Sequence, residues 1–335
     1  MDRADNLRIK QMNKQLLRDC FVRHTLQMAG ELSGATGLSV VTVNALLKEM
    51  IQSGEVVKSE EKLSRGGRPG VVYRYNTLYR CAVIIYGLQK NKRDYIKCMV
   101  TDMVGNPLYE DERTPPLVTE QLLEELLDEA IARYPAVQVA AFGLPGEEED
   151  QIITINDYKE IIGSDFLLRF AKKHHIQVIF LNDINAAVRG MYELRKAKED
   201  CGTIAGIFYP GGYPPGMGLV INGRIHTGRA NFAGEISYAP LGIQWPEMDY
   251  DDQEAVAATV AQMLAVVSAV LAPDLFILYG EFINDKAAAA IRQSAERMLR
   301  GRFKINLILS HEFQLDFEWG MICSALEILN KTGES

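Results

Sequence analysis

The sequence predicts an α/β body that follows a small winged helix-turn-helix head. Residues 1–76 read as short helices and a charged hairpin, and from residue 79 onward apolar strands alternate with helices. The charge changes at the same boundary: residues 1–76 carry 12 Lys and Arg against 8 Asp and Glu, and the remainder 24 against 36. A basic head on an acidic body indicates that only the head meets a polyanion. We therefore divide the chain into a head, 1–76, and a body, 77–335.

Three helices are predicted in the head, over residues 13–28, 31–36 and 40–53. Gly37 ends the second helix, and Ser39 is suited to cap the third. A helix, a Gly-containing turn and a capped helix form the helix-turn-helix pattern, whose second helix enters the DNA major groove. The candidate DNA contacts on this helix and its cap are Ser39, Val40, Thr42, Asn44 and Lys48. The alternative is a plain three-helix packing unit.

A hairpin follows the third helix, with strands over 55–58 and 71–75 and a Gly-rich, charged tip. The candidate DNA contacts of the tip are Arg65, Gly66, Gly67 and Arg68. Two cations on a backbone without bulk fit a narrow minor groove, whereas the alternative is a solvated loop. Because Lys48 is the one cation of the third helix, base specificity would rest on Asn44, Thr42 and contacts to thymine methyl groups.

In the body, three strands joined by short turns precede a helix over 120–133. A buried strand over 137–142 and another over 177–181 follow, and the second leads directly to Asn182 and Asp183. Such a strand-to-helix junction is where an open α/β sheet places ligand groups. The alternative for Asp183 is a simple helix cap.

A second candidate site follows a strand over 219–221 and a tight turn at Asn222-Gly223, a strong hairpin signal. The return strand runs into a loop rich in Gly and Ala that ends in Glu235. A carboxylate among small neighbours can accept hydrogen bonds from sugar hydroxyls, whereas the alternative is a solvated surface glutamate.

The five cysteines show no metal-ligand or CxxC spacing, so we expect a reducing, cytoplasmic compartment. The polar N-terminal stretch does not have the pattern of a signal peptide. The most apolar run, 255–279, is interrupted by Gln262, Pro273 and Asp274. We expect a buried helix followed by a strand there, and no membrane contact.

The order of these segments resembles the ROK family (repressor, open reading frame, kinase), in its repressor branch. The motifs are GGRP, GLPG, LNDINAA, VINGRIHTGRANFAGEI and LAPDLFILYG, in that order across nearly the whole chain. The resemblance implies an actin-like, sugar kinase-type fold of two α/β lobes with a hexose between them. The lobes would be roughly 77–190 plus the C-terminal helix, and 191–315.

The resemblance also implies roles for single residues. Asn182 and Asp183 match the family's Asn-Asp pair, whose Asp is the general base in kinase members. Glu235 matches the glutamate that holds sugar hydroxyls, and Asn156 falls where the family has a sugar-facing asparagine.

The metal site of the family is absent from the sequence. Tyr238 stands in place of its His, and no Cys cluster follows, so we expect no bound metal. Tyr238 is then a candidate effector contact through its hydroxyl, and Trp245 could stack on a sugar. The alternative is that the loop 239–250 only packs.

The nucleotide-binding segments also depart from the family pattern. The first strand ends in Tyr86-Gly87-Leu88, without the expected acidic group and paired glycines. Prolines at 210, 214 and 215 remove N–H donors from the second phosphate segment, and Glu281 would turn a carboxylate toward phosphate. We therefore expect no nucleotide cofactor and no catalytic residue, with Asp183 a vestigial base.

These observations together predict a sugar-responsive transcriptional regulator, foremost a repressor. It would bind operator DNA as a homodimer or tetramer and take a small sugar or sugar phosphate as effector. Two alternatives stay open. One is an active ATP-dependent sugar kinase with a fused DNA-binding head, and the other is a regulator that has lost sugar sensing and responds to a protein partner.

Overall fold

A computed structural model describes residues 3–60, 70–90, 93–195, 201–210, 213–280 and 283–331. The elements of the head are α1 (Arg3–Arg23), β1 (Leu26–Met28), α2 (Ala29–Thr36), α3 (Val40–Ser53), β2 (Val56–Ser59) and β3 (Val72–Tyr75). The predicted second and third helices are confirmed. Gly37 ends α2 with a left-handed backbone (φ 72°), and the Ser39 hydroxyl accepts the Thr42 N–H at 3.1 Å to cap α3.

The predicted first helix, 13–28, is wrong at its C-terminal end. α1 ends at Arg23, and Leu26–Met28 pairs antiparallel with β3 instead. The backbone of this segment is hydrogen-bonded to the wing, where the Tyr75 N–H donates to the Thr25 carbonyl oxygen at 2.9 Å. The spacing of apolar residues in the sequence does not predict such a pairing between distant segments. The wing is therefore a three-stranded sheet in the order β1-β3-β2. Its tip, with the candidates at 65–68, lies outside the described residues.

Lobe I of the body follows the head. Its elements are β4 (Cys81–Lys90), β5 (Arg93–Thr101), β6 (Pro107–Arg113), α4 (Glu120–Arg133), β7 (Val137–Gly143), β8 (Gly146–Glu149), β9 (Ile152–Asn156), α5 (Phe166–His174) and β10 (Gln177–Leu181). The main sheet has the order β10-β7-β4-β5-β6, parallel from β10 to β4 and antiparallel beyond. The β8–β9 hairpin stands apart from this sheet and was not predicted.

The chain passes through α6 (Asp183–Arg195) into lobe II. The elements that follow are β11 (Thr203–Phe208), β12 (Gly216–Ile221), β13 (Arg224–Ile225), α7 (Gln253–Leu271), β14 (Leu275–Tyr279), α8 (Asp285–Met298), β15 (Leu307–Ser310) and α9 (Phe313–Lys331). The sheet order is β13-β12-β11-β14-β15. The predicted turn at Asn222-Gly223 is confirmed, because both residues have positive φ (50° and 77°) between paired strands.

The expected apolar helix before β14 is α7. Within the described residues, it is the one helix long and apolar enough to cross a membrane by length and composition. Half of its most apolar stretch is buried inside the protein, and Val256, Val260 and Leu264 are part of the lobe II core. α7 therefore packs as a core helix of lobe II.

Helices α6 and α9 lie side by side between the sheets of the two lobes. A Cβ atom at Gly320 would overlap the Ala186 carbonyl oxygen, and one at Gly190 would overlap the Asp316 carbonyl oxygen. Glycine at both positions is therefore what lets the two helix backbones approach so closely.

Helix α9 is hydrogen-bonded to both lobes through carboxylates two residues apart. Asp316 accepts the hydroxyl hydrogen of Tyr279 in lobe II at 3.0 Å. Glu318 accepts hydrogen bonds in lobe I from Tyr86 and, at 3.0 Å, from Lys97. The helix therefore fastens the two lobes to one another.

The C-terminal end of α9 is held by the head and by the segment that leaves it. Arg18 of α1 donates to the Asn330 carbonyl oxygen at 3.3 Å, and Arg80 donates to the Leu329 carbonyl oxygen at 3.2 Å. Arg18 also forms a buried ion pair with Glu55 at 2.6 Å, with both side chains 4% exposed. One hydrophobic core runs without interruption from α1 and α3 along α9 to the lobe junction. The predicted boundary after residue 76 falls between β3 and β4.

Candidate functional site

The β8–β9 hairpin brings two of the predicted effector residues together. Gly146 of β8 pairs with Asn156 of β9, and the Asn182 side-chain amide donates to the Gly146 carbonyl oxygen at 3.1 Å. Asn156 is buried, and its side-chain oxygen accepts the Tyr158 N–H at 2.9 Å. Its side-chain nitrogen has no partner, which leaves one buried donor at this site.

Asp183 begins α6 beside this hairpin. Asn182 caps this helix, because its side-chain oxygen accepts the Ile184 N–H at 3.1 Å, and the Asp183 carboxylate accepts the same N–H at 2.7 Å. Burial raises the pKa of Asp183 to about 6, and the nearby Asp157 carboxylate adds to the rise against the lowering effect of the backbone N–H. A carboxyl group with a raised pKa, next to Asn182 in the chain, can exchange hydrogen bonds with a polyol.

The fourth predicted effector residue, Glu235, reaches this hairpin from lobe II. Burial and, after it, a hydrogen bond with the Glu147 carboxyl group of β8 together raise the pKa of Glu235 to about 7. Gly234 allows the approach: its φ is 109°, and a Cβ atom there would overlap the Met217 carbonyl oxygen. A second contact between the lobes is the 2.7 Å hydrogen bond from the Asn231 amide to the Glu148 carbonyl oxygen.

The structure therefore gathers Asn156, Asn182, Asp183 and Glu235 around one hairpin, although their effector-binding role stays a prediction. Glu147 was missed by the sequence analysis. It lies in a run of three glutamates, which resembles a solvated loop. Its strand pairing and its partner in the other lobe appear only in the fold.

Tyr238 ends the turn that follows Glu235, and its N–H donates to the Glu235 carbonyl oxygen at 3.1 Å. Its side chain is 71% exposed and packs on Phe232, with ring centroids 5.7 Å apart. Trp245 donates its ring N–H to the Ser237 carbonyl oxygen at 2.7 Å, and its ring packs on the lobe II core. These contacts favour the packing alternative for Trp245 and the loop 239–250.

The head presents a second candidate surface, the outward side of α3. Asn44 and Lys48 are exposed there as predicted, and so are Ser39 and Val40. Thr42 is partly buried, and its hydroxyl lies 2.8 Å from the Ser39 hydroxyl. A groove of about 470 Å³ runs beside Asn44 between the helices and the wing. DNA contact by these residues stays a prediction.

The sequence analysis also missed Val41, whose side chain is 81% exposed. Its position could have been found from helical spacing. Val43, Leu46 and Met50 mark the buried side of α3, and the residue nearest the opposite direction in the first turn is 41.

Comparison with known proteins identifies the body. The ROK family model matches residues 92–252. This stretch is slightly less than half of the chain and is similar to a ROK family domain, so we call the body that contains it the ROK domain. Its sequence is 24% identical over 257 residues to the xylose repressor of Bacillus subtilis, an alignment that takes in 74% of this chain and 65% of the repressor. The chain thus spans slightly less than two thirds of that relative's length.

Two solved structures share the fold of the ROK domain. A ROK family transcriptional regulator, a homolog of the E. coli MLC protein, matches with a TM-score of 0.68 and 17% identity over 97% of this chain and 99% of its own. A ROK hexokinase from Thermus thermophilus matches with a TM-score of 0.61 and 17% identity over 75% of this chain and 99% of its own. The predicted fold class, an actin-like body of sugar-kinase type behind a winged head, is confirmed.

The end of β4 is the segment that the family resemblance would place beside a nucleotide. β4 continues as a paired strand through Leu88, Gln89 and Lys90, so its backbone groups belong to the β4–β5 ladder. A Cβ atom at Gly87 would overlap the Tyr158 hydroxyl, so this glycine accommodates a tyrosine ring. The segments at 211–212 and 281–282 lie outside the described residues.

Across the described ranges, no three His, Cys, Asp or Glu side chains are grouped so that they could hold a metal ion. Tyr238, at the position of the family's histidine, offers one hydroxyl, which is not a preferred zinc ligand.

Proposed function

We propose that this chain is a cytoplasmic, DNA-binding transcriptional repressor that responds to a small sugar and does not phosphorylate it. The observation that carries the proposal is the pairing of a winged helix-turn-helix head with amide and carboxyl side chains that meet where the two lobes contact each other at the β8–β9 hairpin, a place that we call the cleft. The likeness to the regulator extends over 97% of this chain, whereas the likeness to the hexokinase leaves a quarter of it uncovered. The name xylose repressor, carried by a relative, supports the same function.

The charges of the cleft favour an uncharged effector. Asp183, Glu235 and Asp157 have raised pKa values whose causes are burial and neighbouring carboxyl groups, and no cation is among those causes. A sugar phosphate would bring two further negative charges into this environment. A neutral pentose or hexose can instead donate its hydroxyl hydrogens to the carboxylates and accept the unpartnered Asn156 N–H.

DNA binding by the head would use a symmetric assembly. A pair of heads reads two half-sites whose spacing follows the symmetry of the protein. We propose a homodimer, or a tetramer built from such dimers. The effector would change the geometry of the two heads by changing the relation of the lobes, and so weaken binding to the operator.

Fluorescence anisotropy with fragments of the promoter beside its own gene tests this proposal. The full chain should bind at least one fragment, with an affinity that falls as salt is raised from about 50 to about 200 mM. A neutral sugar should release it, and Glu235→Gln should bind the same DNA but need more sugar for release. If no fragment binds in a salt-sensitive way, the proposal is wrong.

A sugar kinase with a fused head is the second candidate, favoured by one observation. Asp183 stands at the start of a helix in the cleft with its pKa raised to about 6, which suits a general base. A coupled ADP-release assay over a panel of pentoses and hexoses separates the two functions. Turnover that Asp183→Asn abolishes would establish the kinase, whereas we expect no turnover above the protein-free rate.

A regulator that responds to a protein partner is the remaining alternative. Thermal-shift measurement over the same sugar panel distinguishes it. A bound sugar at a hundred times its dissociation constant should add about 2.7 kcal/mol to the stability of the folded chain. A flat response to every sugar, together with intact DNA binding, would favour the protein partner.

A further inference from the structure

The outward side of α3 begins with an apolar side chain rather than a hydrogen-bonding one. A helix turns by about 100° per residue, so Val41, Ala45 and Lys48 lie opposite the buried residues of α3. All three are exposed. Among the large apolar side chains of the described residues, none is more exposed than Val41, at 81%.

The polar groups of the first turn of α3 are already engaged with each other. The Ser39 hydroxyl accepts the Thr42 N–H at 3.1 Å and lies 2.8 Å from the Thr42 hydroxyl. Thr42 is also partly buried, on the flank of the helix. The first turn therefore presents the valine methyl groups outward, not hydroxyl donors.

Helix stability does not explain a valine at this position. A β-branched side chain loses rotamer freedom in a helix, and at 81% exposure Val41 gains little from packing. Alanine would stabilise the isolated helix better. Helix propensity and packing within the described chain therefore give no reason for the methyl groups of Val41.

We propose that Val41 contacts the C5-methyl group of a thymine in the DNA major groove and sets the preference of the head for A·T at that position. This inference rests on the proposed function. The N-terminal residues of a recognition helix contact base edges, and thymine alone among the four bases presents a methyl group there. Asn44 and Lys48 continue the same side of α3 and suit an adjacent adenine and a guanine or phosphate.

The occupant of this surface is DNA because of the charge around it. Lys48 lies on the same outward side, and residues 1–76 carry 12 cationic against 8 anionic side chains in a chain whose net charge is −8. A valine flanked by an amide and a cation matches the donor, acceptor and methyl groups of a major groove.

The test is a cycle of one protein change and one DNA change. A duplex selected from a randomised pool by the full chain is rebuilt with each thymine in turn replaced by deoxyuridine at the matching positions of both half-sites, which removes only the methyl groups. At one such pair of positions, we expect affinity to fall about fourfold for each half-site, the equivalent of about 0.8 kcal/mol for each buried carbon. Val41→Ala should cause a similar fall on the thymine duplex.

The two changes should not add, because they remove the same contact. Val41→Ala should lose no further affinity on the deoxyuridine duplex. Val270→Ala is the matched control: Val270 is a 78% exposed valine on α7, and its removal should leave binding unchanged on both duplexes.

Each outcome decides the inference. Additive losses, or a duplex insensitive to every deoxyuridine, would show that Val41 does not read a methyl group. A change of oligomeric state in Val41→Ala, with DNA affinity intact, would assign the valine to a protein contact and also overturn it. If the wild-type chain selects no duplex in a salt-sensitive way, the proposed function fails first, and this inference fails with it.

Discussion

Replacing Arg18 by methionine should destabilise the protein far more than the same change at a surface arginine. Arg18 and Glu55 form an ion pair at 2.6 Å with both side chains 4% exposed. Methionine keeps most of the buried volume of the arginine stem but leaves the Glu55 carboxylate without its cation. The Tyr75 hydroxyl still donates to this carboxylate, at 3.4 Å.

The expected loss is about 3 to 5 kcal/mol of unfolding free energy, the cost of removing one partner from a buried ion pair. Most of that cost comes from the unpaired carboxylate. The double variant Arg18→Met/Glu55→Leu should therefore recover most of the loss, because it removes both charges.

Arg169→Met is the matched control. Arg169 pairs with Asp165 at 2.8 Å, but the two side chains are 46% and 56% exposed. Its loss should cost about 1 kcal/mol or less, because solvent screens the pair.

Urea denaturation followed by tryptophan fluorescence measures these differences, since Trp319 on α9 packs against the same core as α1. The reasoning is refuted if Arg18→Met loses no more stability than Arg169→Met. It is also refuted if the double variant is less stable than Arg18→Met alone.

Three further predictions concern the cleft, the cap and the helix crossing. The folded state raises the pKa of Glu235 from its usual 4.5 to about 7, so it holds a proton that the unfolded chain has released, and stability should fall as pH rises through that range. The pKa shift limits this change in unfolding free energy to about 3 kcal/mol, and solvent screening of the half-buried pair reduces it to about 1 to 2 kcal/mol. Glu235→Gln should remove this difference between the unfolding free energies measured by denaturation at about pH 5 and about pH 8. Ser39→Ala should cost about 1 kcal/mol in thermal denaturation through the lost cap, and an unchanged melting temperature would contradict the capping geometry. Gly320→Ala should cost about 3 kcal/mol or more, because its Cβ atom would overlap the Ala186 carbonyl oxygen, whereas Gly163→Ala, in open space but with positive φ, should cost about 1.

Much of the fold was predictable because it depends on local signals. Gly37 ends α2 and Ser39 begins α3, because every helix end needs a suitable backbone conformation or a capping side chain. The Asn222-Gly223 turn is also a local signal, because both residues tolerate the positive φ of a tight hairpin. The order of strands and helices in the body likewise follows from hydrophobic patterns that each element carries within itself.

What was missed depends on partners distant in sequence. The strand at Leu26–Met28 exists because β3 pairs with it, and its three residues carry too short a pattern to separate it from the preceding helix. Three of the four residues of β8 are glutamates, whose strand propensity is low. The role of Glu147 depends on its hydrogen bond with Glu235 in the other lobe. No local pattern encodes such a pairing.

Helix α9 connects the two lobes rigidly to the head. It has 19 residues, which at about 1.5 Å per residue makes it roughly 28 Å long. The N-terminal end of α9 is hydrogen-bonded to both lobes, and its C-terminal end accepts a hydrogen bond from Arg18 of the head. A tilt of about 5° at the lobes would displace the far end by about 2.5 Å over that length. In a pair of such chains the two displacements would add. A small change in the cleft could therefore alter the separation of the two α3 helices, so that they no longer fit successive major grooves.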